Sequence, residues 1–163
     1  MLKKIIIRII SIIMLLATFF VIFGFSNQDG QASGETSRKV AGKIVDIFPA
    51  TKNKSRQEKE RIVENMQPII RKLAHFSKYT LVGISMMTFM ETFSLSTRKK
   101  IIVSLIVGLL YASSDEIHQL FIPGRTAAVT DVLIDTFGVA VGILIVRGIV
   151  DKIIYKTSKC NIE

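Results

Sequence analysis

The residues of this chain that could do chemistry fall into three short groups. Lys72, His75 and Tyr79 are spaced i, i+3 and i+7, so a helix places them on one face. Asp115 and Gln119 share a second face, with Glu116 and His118 beside it, and Asp131 and Asp135 make a third. Arg125 lies between the last two groups, after a Pro123-Gly124 pair that favours a tight turn. Carboxylates beside imidazoles can pass protons to and from a substrate, and Glu116, His75 and Asp115 are the candidate catalytic residues. The turn holds Arg125 over them, where it can pair with the acids or grip a phosphate or carboxylate with two N–H bonds. The candidate binding set is all ten: Lys72, His75, Tyr79, Asp115, Glu116, His118, Gln119, Arg125, Asp131 and Asp135. Each also has a plainer role open to it. Asp131 and Asp135 are favoured near a helix N-terminus by the macrodipole alone, and His118 could be a packing residue at an interface. Two histidines and several carboxylates are ligand types for a divalent metal, yet no spacing matches a zinc signature. No metal is expected, and no Gly-rich phosphate loop or haem motif indicates another cofactor.

The surroundings of these groups are apolar. The chain has 163 residues, 49% of them hydrophobic, gathered in long blocks at 5–25, 74–93, 101–122 and 132–150. A bilayer core about 30 Å thick needs roughly 20 apolar residues in a helix. The blocks predict an all-α polytopic membrane protein, a bundle of four transmembrane helices. Polar residues come first in the second and fourth blocks and last in the third, so alternating helices bring all three groups to one end. Small residues lie deeper on the same stripes: Gly83, Gly108 and Ala112, and Gly138 and Gly142, the last pair at the spacing that lets membrane helices approach closely. Ionisable groups at membrane depth are costly to keep and point to function. The competing reading is that the polar cluster only holds the bundle together.

The divisions expected along the chain are an N-terminal transmembrane helix at 1–25, a polar and amphipathic outer segment at 26–71, a three-helix core at 72–150 and a basic cytoplasmic tail at 151–163. In the outer segment Val40, Ile44, Ile47 and Phe48 recur at helical spacing, which suits either an amphipathic helix at the membrane interface or one packed on the bundle end. Pro49 closes that helix, and residues 55–61 read as a solvated helix start leading into the second span. The first apolar run is longer than a typical signal core and no small-x-small site follows it, so it reads as a retained helix. The net charge of +9 is that of a chain whose Lys and Arg flank membrane helices, and no nucleic-acid-binding pattern accompanies it. Lys3, Lys4 and Arg8 before the first block, Arg98, Lys99 and Lys100 before the third, and Arg147, Lys152, Lys156 and Lys159 after the fourth place both termini in the cytoplasm and the polar cluster at the outer face. The single cysteine, Cys160, excludes a disulfide framework.

Lys72-x-x-His75-Phe76-x-x-Tyr79, Ser114-Asp115-Glu116-x-His118-Gln119-x-Phe121-x-Pro123-Gly124-Arg125 and Asp131-Val132-x-x-Asp135-Thr136-x-Gly138 together resemble the VanZ-like family, as does the Phe25-Ser26-x-Gln28 exit from the first helix. Asp135 departs from the pattern, which more often has Asn there. The resemblance implies a multi-pass protein of the bacterial cell membrane, associated in one branch of the family with teicoplanin resistance. Two readings compete most closely: a cell-envelope factor lowering susceptibility to teicoplanin-type glycopeptides, and a small membrane enzyme acting on a lipid-linked or envelope precursor through the His/Asp/Glu/Arg cluster. A proton- or solute-coupled carrier is a third, for which four helices are few. The expected partners are the lipid bilayer and either a glycopeptide or a lipid-linked precursor, with a homo-oligomer left open and nucleic acid excluded.

Overall fold

The computed structural model describes residues 2–160, with side chains through residue 156; Met1, residues 161–163 and the side chains of 157–160, Lys159 and Cys160 among them, lie outside the described residues. Five helices carry the described chain: α1 (Leu2–Ser26), α2 (Gly30–Ile47), α3 (Arg56–Glu91), α4 (Thr97–Gln119) and α5 (Val129–Cys160), with a 3₁₀ turn at Pro49–Thr51. Their ends follow from local chemistry. The Asp29 side chain caps α2 by accepting the Ala32 N–H at 2.6 Å. Pro49 opens the 3₁₀ turn just past α2. Ser55 and Glu58 form a reciprocal capping box at the start of α3.

Three helices are long and apolar enough to cross a membrane: α1, α4 and residues Val129–Lys156 of α5. Their outward Ile, Leu, Val and Phe side chains, Ile5, Ile9, Phe20, Leu110, Phe137 and Leu144 among them, would be an aggregation surface in water and are a lipid face in a bilayer. The expected second span differs. Residues 74–91 of that block belong to α3 but are diluted by Ser, Thr, Lys78 and Glu91, because this half of α3 is the centre of the bundle. It packs on α1, α4 and α5, so its buried residues face protein rather than lipid. Tyr79, Val82 and Met87 meet Ile22, Ala112, Val139, Ile143 and Val146 in the main core. With no hydrophobic drive between helices in lipid, close packing must supply the adhesion. The α3–α5 contact is built for it: a Cβ on Gly83 would strike the Val139 carbonyl, and one on Gly142 the Thr80 carbonyl.

The other half of α3 stands outside the bundle. At about 1.5 Å per residue the helix is roughly 54 Å long, well beyond a bilayer core, and it runs through the expected division at 71–72 without a break. α2 packs against this leading half through Ala41 and Val45, which meet Val63, Ile62, Met66 and Ile70, while Gln67 Nε2 donates to the Gly34 carbonyl at 2.8 Å. The stripe expected to seat this helix is not the one that packs on α3: Val40, Ile44, Ile47 and Phe48 are exposed.

α1 and α4 run toward one end of the bundle; the second half of α3 and α5 run away from it. At the far end Glu91 of α3 accepts from Lys100 of α4 at 2.6 Å and from Arg147 of α5 at 2.9 Å, and Arg147 also pairs with Asp151. Arg8 of α1 donates to the Thr92 carbonyl at 2.8 Å there. The candidate residues gather at the opposite end.

Candidate functional site

Three helices each contribute one residue to a buried knot. His75 comes from α3, Glu116 from the last turns of α4 and Asp135 from α5, and all three are buried. One ligand-type atom of each lies within 4.8 Å of the others. His75 Nδ1 and Asp135 Oδ2 are 3.5 Å apart, within ion-pair range, but not aligned as a hydrogen bond. Glu116 is oriented from outside the knot, since its Oε2 accepts the backbone N–H of Ala128 at 3.1 Å. Its Oε1 has no hydrogen-bond partner, and neither do His75 Nδ1 or the two Asp135 oxygens. Each such buried polar atom costs about 1–3 kcal/mol relative to a satisfied one, a cost that structures retain where the atoms have work to do.

Gln119 is the hub of a second network. Its Nε2 donates to Asp115 Oδ2 at 3.3 Å and to Ser26 Oγ at 3.4 Å, while its Oε1 accepts from Arg125 Nη1 at 3.5 Å. Asp115 is therefore held by Gln119 and stands outside the knot. Tyr79, one turn beyond His75, is fully buried, and its hydroxyl has no partner.

The α4–α5 connection closes over this end. Gly124 takes a φ of +71°, open to glycine at little cost, and packs its carbonyl against Gly30, where a Cβ would collide with it. Gly30 N–H donates to the Pro123 carbonyl at 3.0 Å, and Arg125 Nε donates to the Gln28 carbonyl at 3.1 Å. The Pro-Gly-Arg turn is thus clamped to the α1–α2 connection. Arg125 lies over the cluster as expected, but among the described residues its partners are Gln119 and Gln28, with no carboxylate in ion-pair range.

Two cavities open beside the knot and both reach His75. One, of about 180 Å³, is lined by Pro68, Arg71, Lys72, Thr126, Asp131 and Ile134 as well. The other, of about 350 Å³, lies between α2, α3 and the clamp and is lined by Phe25, Gln28, Arg71, Lys78 and Arg125 among others. Lys72 and Asp131 thus sit at the rim. His118 is the one candidate carried away from the cluster: its Nε2 is 2.8 Å from Asn27 Oδ1 and its ring lies against Phe23, the packing role its spacing left open. Ser26 and Gln28 enter the sequence reading only through the family-like exit from the first helix, and Arg71 and Lys78 are not singled out there. Of these last two only Lys78 carries a signal, as a cation inside an apolar block one turn from His75.

A family model described as VanZ/LLP1 matches residues 11–153. The chain belongs to the VanZ/LLP1 family. The match runs from within α1 to near the end of α5 and contains every residue of the knot, the hub and the clamp, so the resemblance carried by the three motifs holds over the whole bundle. With three apolar helices of spanning length, this VanZ/LLP1 member is a multi-pass membrane protein. Neither curated proteins nor solved structures yield a match.

Proposed function

We propose that this chain is a small enzyme of the bacterial cell membrane that takes the anionic headgroup of a lipid-linked envelope precursor at the polar end of its bundle. One observation carries the reading. Arg71, Lys72, Lys78 and Arg125 line two cavities that converge on His75, and among the described residues none of the four pairs with a carboxylate. Cations at a cavity wall without a carboxylate partner suit a phosphate, and Arg125, held on Gln28 and Gln119, has a planar fork for it. With the headgroup so held, Glu116 or His75 moves a proton at the reacting oxygen.

The topology that goes with this reading has four crossings, both termini in the cytoplasm and the knot at the outer face. Residues 74–91 of α3 run beside α1 between the same two bundle ends, which supports a fourth crossing despite their lower hydropathy. Lys3, Lys4, Arg8, Lys99, Lys100 and Arg147 all lie toward the end opposite the knot, which supports a cytoplasmic placement of that end.

Family membership favours a second reading at the cellular level, in which the chain lowers susceptibility to teicoplanin-type glycopeptides with or without catalysis. Both are tested by expressing the chain in a sensitive Gram-positive host beside Glu116→Gln and Arg125→Ala at matched membrane abundance. The expected result is reduced teicoplanin susceptibility with little change for vancomycin, lost in both variants. In nanodiscs, polyprenyl phosphate should bind Arg125→Ala about ten- to a hundredfold more weakly than wild type, the worth of a charge-assisted hydrogen bond. A Glu116→Gln variant as effective as wild type would remove Glu116 from the proton transfer and leave His75 as the remaining candidate. Equal headgroup binding by Arg125→Ala would remove the substrate assignment.

A further inference from the structure

We propose that His75, Glu116 and Asp135 form a binding site for one divalent transition-metal ion of the zinc class. The donor set is one imidazole nitrogen and two carboxylates, which such ions accept, whereas magnesium and calcium prefer oxygen throughout. Ligand atoms about 2.0–2.2 Å from a common ion stand roughly 3–3.5 Å from one another. His75 Nδ1 and Asp135 Oδ2 are already 3.5 Å apart, and the third ligand lies within 4.8 Å, so side-chain rotations alone can close the set.

Three further features point to a cation here. Each of the three residues keeps buried ligand-type atoms without a hydrogen-bond partner: His75 Nδ1, Glu116 Oε1 and both Asp135 oxygens. Glu116 is fixed by the Ala128 N–H on its other oxygen, the kind of outer hydrogen bond that orients a metal-binding carboxylate. Two buried carboxylates next to each other need positive charge between them; His75 alone is in ion-pair range, of Asp135, and Arg71, Lys78 and Arg125 pair with neither. The site also has a way in, because His75 borders the cavity lined by Arg71, Lys72 and Asp131. Three protein ligands leave a coordination position open, as in catalytic zinc sites. An ion there would supply an activated water at the cavity floor. The lack of a zinc signature in the sequence has a simple cause: the ligands stand on three different helices, and only the bundle brings them together.

The inference shares its site with the proposed function but not its fate, since metal loading is read with no headgroup present. The full chain, purified in nanodiscs with a tag free of histidine, is stripped with chelator and titrated with zinc, following bound metal by elemental mass spectrometry and Tm by thermal melting. Wild type should take up about one zinc per chain and melt higher with it, by mass action. His75→Ala and Asp135→Asn should lose more affinity than the roughly 10–100-fold that removal of a supporting residue costs, and His118→Ala should bind like wild type. Stripped proteins are melted first, so that only folded variants are compared. Equal zinc affinity in folded wild type and Asp135→Asn, a zinc response abolished by His118→Ala, or a Tm rise with magnesium as large as with zinc would each overturn the assignment.

Discussion

The two ends of this bundle bury charge in opposite ways. At one end Glu91 is only 19% exposed and receives both Lys100 and Arg147, each itself largely buried, with Arg147 shared further with Asp151. Arg8 is likewise used up on the Thr92 carbonyl and hydroxyl and on the face of Phe93. At the other end Asp135 is fully buried beside a histidine it does not properly hydrogen-bond, and the nearby arginines and lysines turn to cavities. Both ends sit on the same helices, so the difference is not one of available partners. A bundle able to satisfy its charges at one end has left them unsatisfied at the other, which separates a fastening from a site.

The comparison breaks most readily at the fastening. Glu91→Ala leaves Lys100 and Arg147 close together and uncompensated, and removing one partner of a buried ion pair costs about 3–5 kcal/mol. Partial exposure of these three side chains lowers the expectation to about 2–4 kcal/mol. The protein should melt well below wild type in detergent and accumulate poorly in the membrane. An unchanged Tm would mean that the end near Glu91 fastens nothing. Glu91→Gln keeps one acceptor oxygen but turns an NH2 donor toward the other cation, so it should fall between wild type and Glu91→Ala and nearer the latter.

Between the ends the backbones of α3 and α5 touch, and a smaller effect is expected there. Gly142→Ala places a methyl against the Thr80 carbonyl and Gly83, an overpacking that costs about 1–3 kcal/mol. Gly148→Ala, six residues later on the same helix, meets open space and should be neutral or stabilising by up to about 1 kcal/mol. Thermal melts of the pair test whether contact or helix propensity governs this seam; equal effects would discard the contact. If both ends depend on the seam, Gly142→Ala should also weaken zinc uptake and headgroup binding.

How much of this was legible in the sequence depends on whether the signal is local. The apolar blocks and the i, i+3, i+7 stripes are local, and they placed His75, Tyr79, Asp115, Gln119 and Asp135 at one end with the glycines deeper, where the structure has them. The roles of Glu116 and His118 could not be read. They are two residues apart on α4, both beside the polar face, and which one turns inward depends on how α4 packs between α5 and α1. α5 takes Glu116 toward Asp135, and α1 takes His118 to Asn27 and Phe23. Arg71 and Lys78 belong to no motif in the sequence, because the cavity they share exists only once α2 folds back along α3. The expected second span shows the same limit. Hydropathy measures what lipid would accept, and the second half of α3 is surrounded largely by other helices.

The smallest expected effect is the most telling. Asp135→Asn removes a fully buried carboxylate whose oxygens have no hydrogen-bond partner, in nearly the same volume. If Asp135 fastened the bundle as Glu91 does, the change would cost several kcal/mol. Because it removes a charge that no hydrogen bond satisfies and that has only His75 in ion-pair range, the melt in chelator should report a change of less than about 1 kcal/mol in stability. The chelator matters, since a bound ion stabilises wild type by mass action and would exaggerate the loss. A large fall in chelator would make Asp135 a second fastening and erase the contrast between the ends. An unchanged melt with lost zinc binding would sharpen it, showing that this carboxylate is held for a ligand and that the other end of the bundle bears the cost of keeping it buried.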